Sequence, residues 1–170
     1  MTGFLFLLIY FNMAISKKII KFLEKNKVKY DLIKHRKVFT AFDKAATIKI
    51  KLNLIGKTLI LKGDNKLIMV LISGNKNLDK NKFKKIAKIK KIDFVSEKLI
   101  KNKFKGVKIG TIPPFGILWK TSTFIDKKLF QNSKIFINAG DYCWSIKINP
   151  NNLKKIIPDL IVGNFSQNKK

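Results

Sequence analysis

The chain has 170 residues, 46% of them hydrophobic, with a mean hydropathy of −0.02; that is enough for one domain with a real core and argues against intrinsic disorder or two comfortable domains. The formal net charge is +27 and the pI about 10.3. Such a surplus attracts polyanions, RNA above all. Arg36 is the only arginine among the 37 basic residues, and asparagine and isoleucine are abundant beside lysine. Compositional drift in an AT-rich genome gives that pattern, whereas a dedicated RNA-binding face usually adds arginine for bidentate phosphate contacts. Both origins of the charge stay open. The single cysteine, Cys143, excludes an internal disulfide and fits a reducing, cytoplasmic setting.

In chain order, residues 3–13 form an apolar run too short to span a bilayer, which needs roughly twenty residues. Lys17-Lys18 follows it in place of a small-residue cleavage site. Residues 1–12 are expected to be an extension ahead of the domain, with a membrane-surface anchor as the alternative. Ile15, Ile19, Ile20 and Leu23 recur at helical spacing, predicting a helix over 14–25 with Ser16 as cap. Residues 28–34 alternate as a strand. Thr40 and Asp43 imitate a capping box ahead of a helix over 41–46. Two β-rich runs, 58–62 and 67–73, are joined by Gly63-Asp64-Asn65-Lys66 and predict a hairpin. Helices are expected over 78–87 and 96–103, the second capped by Ser96. Residues 107–112 lead into a Pro-Pro-Phe-Gly loop, and 118–125 alternate as a strand ending at Asp126. Strands over 134–138 and 144–148 connect through Ala139-Gly140-Asp141, a helix over 153–157 follows Pro150, and 163–170 reads as a polar tail. Helices mixed with hairpin-linked strands, without regular βαβ alternation, predict an α+β domain over 13–162.

The inventory of chemistry is narrow. One histidine, His35, and one cysteine make no common zinc site, and no cofactor is expected. Cys143 sits in the apolar run Tyr142-Cys143-Trp144-Ser145-Ile146, which favours a buried structural role over a nucleophile. No serine occupies a Gly-x-Ser-x-Gly elbow, Gly106 to Gly110 is not a Walker loop, and the ten acidic residues form no obvious catalytic pair. An enzyme built from this chain must work by positioning and backbone donors. Two segments stand out. Gly56-Lys57-Thr58-Leu59 places a cation at the start of an apolar strand, which is equally what a solvated strand end looks like. Gly110-Thr111-Ile112-Pro113-Pro114-Phe115-Gly116 is a stiff loop, either a tight connection or a source of aimed N–H groups.

Taken in order, His35, Thr40-Ala41, Lys57-Thr58-Leu59, the Gly-x-x-x-Pro loop Gly110 to Pro114, Asp126 and the strand Ile135 to Gly140 resemble the YbaK-type, prolyl-tRNA-synthetase-associated editing family. The resemblance covers about residues 13–162. It implies a mixed, mostly antiparallel and partly barrel-like sheet flanked by helices. It also implies an aminoacyl-tRNA deacylase that clears mischarged tRNA of the Cys-tRNA(Pro) or Ala-tRNA(Pro) type. Expected partners are mischarged tRNA and a prolyl-tRNA synthetase, with no membrane. By resemblance, Lys57 engages the 3′ end of the tRNA and Gly110, Thr111, Ile112 and Pro113 orient the ester carbonyl. His35, Thr40, Thr58, Pro114, Phe115, Asn138, Gly140 and Ser145 surround the substrate, whose own ribose hydroxyl helps position the water. Ser145 stands where several relatives are acidic. A non-catalytic tRNA-binding or synthetase-associated module of the same fold is the alternative.

Overall fold

The computed structural model describes residues 14–169, so the apolar run at 3–13 and its expected role lie outside the described residues. Helix α1 (Lys17–Lys25) buries Ile19, Ile20 and Leu23, the stripe its periodicity predicts. Ser16 precedes it, but accepts the Ile19 N–H at 3.0 Å with its backbone carbonyl rather than its hydroxyl. Thr40 is a true cap of α2 (Ala41–Thr47): its hydroxyl accepts the Asp43 N–H and donates to the Asp43 carboxylate at 2.7 Å.

The strands form open sheets. Strands β1 (Tyr30–Lys34), β7 (Ile135–Asn138) and β8 (Trp144–Ile148) make an antiparallel sheet in the order β1-β8-β7. Strands β2 (Gly56–Gly63), β3 (Lys66–Ser73), β5 (Ile92–Phe94), β6 (Ser122–Asp126) and β9 (Ile161–Gly163) make a second, in the order β5-β2-β3-β6-β9. Here β2/β3 and β2/β5 run antiparallel, β3/β6 and β6/β9 parallel. The fold class is thus α+β, and the expected partial barrel does not close. The β2/β3 hairpin turns on Asp64 and Asn65, both at positive φ, as a two-residue primed turn requires. The two sheets meet where Ile55 bridges Phe136 and where Gly56 lies so close to Ile137 that a Cβ would come within 3.1 Å of its Cγ2. The largest core cluster fills this junction from below, with α1, Phe115, Leu71, Ile137 and Ile146 in it.

Several expectations need correction. The alternating run 118–125 is not one strand. Residues Gly116–Trp119 form a 3-10 turn closed by Thr121 N–H to Gly116 O, and β6 starts only at Ser122. Helix α3 is Lys80–Ala87, capped by Asp79, because Leu78 belongs to β4 (Lys76–Leu78). Helix α4 (Glu97–Lys103) keeps its Ser96 cap, and α5 (Pro150–Ile156) starts earlier than expected, on an Asn149 cap. Residues expected as a polar tail are packed: Phe165 is fully buried and β10 (Ser166–Asn168) pairs with β4. Asp126 explains this, since its buried carboxylate accepts N–H groups from Lys128, Phe165 and Ser166. Cys143, expected to be buried, is half-buried and lies just ahead of β8.

Candidate functional site

A cleft of about 200 Å³ opens at the junction of the two sheets, between α2, the start of β2, the Gly110–Pro114 loop and the end of β7. Among the residues singled out in the sequence, Thr40, Lys57, Thr58, Gly110, Thr111 and Asn138 line it. The fold therefore gathers segments up to about a hundred residues apart into one concave surface.

The loop's shape comes from its hydrogen bonds. Gly110 has φ +79°, a conformation L side chains rarely adopt, and a Cβ there would meet nothing within 4 Å. Thr111 donates both its N–H and its hydroxyl to Lys108 O, at 3.1 and 2.7 Å. Its carbonyl accepts the Gly140 N–H at 2.8 Å, while Gly140 O accepts the Lys108 N–H. Gly140 thus serves through its backbone, and its φ of +88° and the 2.7 Å approach of Val107 to a hypothetical Cβ leave room for no side chain. The Thr111 amide, spent on Lys108, is not free to face a ligand. Gly110 lines the cleft, and its N–H takes part in none of these bonds among the described residues.

Asn138 holds the loop from behind. Its amide nitrogen donates to Gly110 O and Ile112 O at 3.3 and 3.4 Å, and its Oδ1 accepts the Lys44 ammonium at 2.7 Å. Each end of the amide so has the partner its chemistry requires. Lys44 is 7% exposed, and burial lowers its pKa to about 8. Lys57 is also lowered from the usual lysine value, first by burial and then by repulsion from Lys169. Asp141, 3% exposed, is the carboxylate in the lining; its oxygens take the Cys143 N–H and the Lys108 ammonium. With Asp141 already paired, two lysines set the sign of the cleft, which suits an anionic ligand. Thr58 belongs to the lining as a residue; its Oγ1 is buried without a hydrogen-bond partner, as are Trp119 Nε1 and Ser166 Oγ away from the cleft.

The remaining residues singled out in the sequence sit around the cleft rather than in its lining. His35 Nδ1–H donates to Arg36 O at 2.8 Å, so the neutral ring accepts the Ser145 hydroxyl at Nε2, 2.9 Å away. Burial, with the Lys44 charge adding to it, lowers the His35 pKa against the opposing backbone bonds and Asp141. Ser145 is fully buried, so this pair ties β1 to β8. The Ile112 side chain packs with Met69, Phe104 and Trp119, Pro113 and Pro114 are buried, and Phe115 lies in the main core against Phe22. These four build the loop's floor. Among the described residues no group of three or more His, Cys, Asp or Glu is placed to hold a metal ion. No helix among them is long and apolar enough to cross a membrane.

Lys44, Asp141 and Phe39 line the cleft and escaped the sequence reading. Lys44 had a signal: in Ala41, Lys44, Ala45, Ile48 it occupies the apolar face of α2, where a lysine needs a reason. The other two carried none.

A family model described as the aminoacyl-tRNA editing domain matches residues 35–156, the stretch that contains every element of the cleft. No curated protein matches the chain in sequence. Among solved structures, the hypothetical protein APE2540 superposes with a TM-score of 0.79 at 19% identity, over 89% of this chain and 100% of that one. A candidate trans-editing enzyme for prolyl-tRNA synthetase superposes with a TM-score of 0.77 at 18% identity, over 89% and 96% of the two chains. At these identities the two neighbours speak to the fold.

Proposed function

The chain belongs to the aminoacyl-tRNA editing domain family, and from that premise we propose that it is a deacylase hydrolysing the ester between a wrong amino acid and the 3′-terminal adenosine of tRNA. The observation that carries the reading is the cleft itself, where Lys57, Thr58, Gly110 and Asn138 from separate segments line one concave surface. Water adds to the ester carbonyl carbon, and the oxygen becomes an oxyanion. A donor already fixed at that place stabilises the transition state more than the ground state. Gly110 N–H is such a donor, and Asn138 with Lys44 keeps it in place. Collapse of the tetrahedral species breaks the bond to the ribose oxygen, which takes up the proton released by the water. In this reading the Lys57 ammonium meets the terminal phosphate or ribose, and Thr58 lies beside it in the lining. The substrate's neighbouring ribose hydroxyl orients the water, so no side-chain nucleophile is required.

Within this class we take alanine or cysteine on tRNA(Pro) as the substrate, the choice the family resemblance implies. The structural neighbour described in connection with prolyl-tRNA synthetase supports that synthetase as the source of the substrate and as a partner. The reaction's place is then the cytoplasm, where tRNA is charged. We take the domain to run from residue 13 through β10, because β9 ends at Gly163, Phe165 is buried and β10 pairs with β4. The test is a panel of mischarged tRNAs incubated with the protein. Release of alanine or cysteine from tRNA(Pro), faster than from correctly charged tRNA, is the expected result. Tight tRNA binding with no release from any member refutes the deacylase and supports a non-catalytic tRNA-binding module.

A further inference from the structure

At the mouth of the cleft Phe39 is 65% exposed although it stands next to buried Val38. Its ring tilts onto Tyr142 with centroids 4.8 Å apart. Tyr142 is fixed: its hydroxyl donates to Ile109 O at 3.0 Å and its carbonyl accepts the Val38 N–H at 3.1 Å. The Lys37 ammonium stands 5.3 Å from the Phe39 ring centre and 5.7 Å from that of Tyr142. The Lys108 ammonium stands 5.4 Å from Tyr142 and is held by Asp141. An open aromatic face set in a rigid frame between two ammonium groups matches an unpaired nucleotide, whose base stacks while its phosphates meet the charges. A purely apolar partner would instead have to desolvate both lysines. Phe39 also belongs to the cleft lining, so the platform is continuous with the site.

We infer that Phe39 and Tyr142, flanked by Lys37 and Lys108, form a stacking platform for the unpaired nucleotide immediately 5′ of the one held in the cleft. The inference rests on the reading that the cleft receives a single-stranded RNA 3′ end, but it concerns binding and not hydrolysis.

The experiment measures the affinity of an uncharged, fluorescently labelled single-stranded RNA ending in C-C-A, by anisotropy at fixed salt. Wild type, Phe39→Ala and Phe39→Tyr are compared, each also with the same RNA made abasic at the penultimate position. Phe39→Ala is expected to weaken binding about tenfold, the usual scale of one stacked base. Phe39→Tyr restores it, and the abasic RNA binds weakly and responds little to Phe39→Ala. No measurable binding by wild type, unchanged affinity of Phe39→Ala, failure of Phe39→Tyr to restore, or equal losses on both RNAs would overturn the platform. If the predicted pattern holds while no mischarged tRNA is hydrolysed, the platform stands and the deacylase reading falls.

Discussion

Replacing Lys44 by methionine removes a cation that the fold holds almost out of water. In the folded chain the ammonium is 7% exposed and its pKa falls from 10.5 to about 8, whereas in the unfolded chain it returns to the ordinary value. Between those two values the unfolded chain keeps a proton that the folded chain has released. Unfolding therefore takes up a proton there, and stability rises with pH. Below pH 8 both states carry the charge, and the folded one bears the desolvation cost. An interval of roughly 2.5 pH units at 1.36 kcal/mol each comes to about 3 kcal/mol. The groups that share Lys44's surroundings are His35, Lys57 and Asp141. His35, lowered from its ordinary value of 6.5, titrates below this window, and Lys57 is present in both proteins. Urea unfolding of wild type and Lys44→Met at intervals from pH 7.5 to 10.5 isolates the effect as a difference. Wild type should gain about 3 kcal/mol relative to the variant across that range. The variant's stability at any single pH also reflects the lost donor to Asn138 Oδ1, a cost of about 1–3 kcal/mol, and is less informative. A difference that stays constant from pH 7.5 to 10.5 would show that Lys44 is not buried as a charge, and the support of the loop by Asn138 would need another cause.

Other outcomes follow from single contacts. Gly110→Val should cut deacylation at least ~10²-fold, because the position requires positive φ and the open space above it is the cleft itself; unchanged turnover would place the substrate elsewhere. Asp126→Ala leaves the Lys128, Phe165 and Ser166 N–H groups without their acceptor and should cost about 2–4 kcal/mol in chemical unfolding, with protection lost first in β10 by hydrogen exchange. Cys143→Ser should keep activity, since the half-buried thiol does not line the cleft; an inactive variant would point to thiolate chemistry. Binding of tRNA should weaken steeply with salt, by a slope near −0.7 to −0.9 per phosphate contact, and a flat response would reduce the lysines to composition.

Much of this arrangement was legible before any coordinates. The stripe of Ile19, Ile20 and Leu23, the Thr40 cap and the Asp64-Asn65 turn are local signals, and each produced the element it predicts. The short strands β4, β5, β9 and β10, of three residues each, are not legible, because so few residues carry no readable alternation and their partners lie far along the chain. The same division holds at the site. The glycine-proline loop stood out by its own residues, and Lys57 by the order of motifs that resembles the editing family. Asp141 gained meaning only when Lys108 came within reach of it, and Asn138, placed around the substrate by resemblance, showed its hold on the loop's carbonyls only in the fold. Trp119 shows how an alternating run misleads, since its burial against Phe104 follows from a 3-10 turn and not from a strand. The packed end of the chain was hidden for a related reason: the acceptor that anchors it, Asp126, lies about forty residues upstream.

The most direct measurement is single-turnover deacylation of alanyl- and cysteinyl-tRNA(Pro) by wild type and Lys57→Ala, with folding of both checked by circular dichroism. The account predicts release by wild type and a loss of at least ~10²-fold in the variant, about 2.7 kcal/mol of transition-state stabilisation, with the fold intact. A well-folded Lys57→Ala that releases the amino acid at the wild-type rate would contradict it.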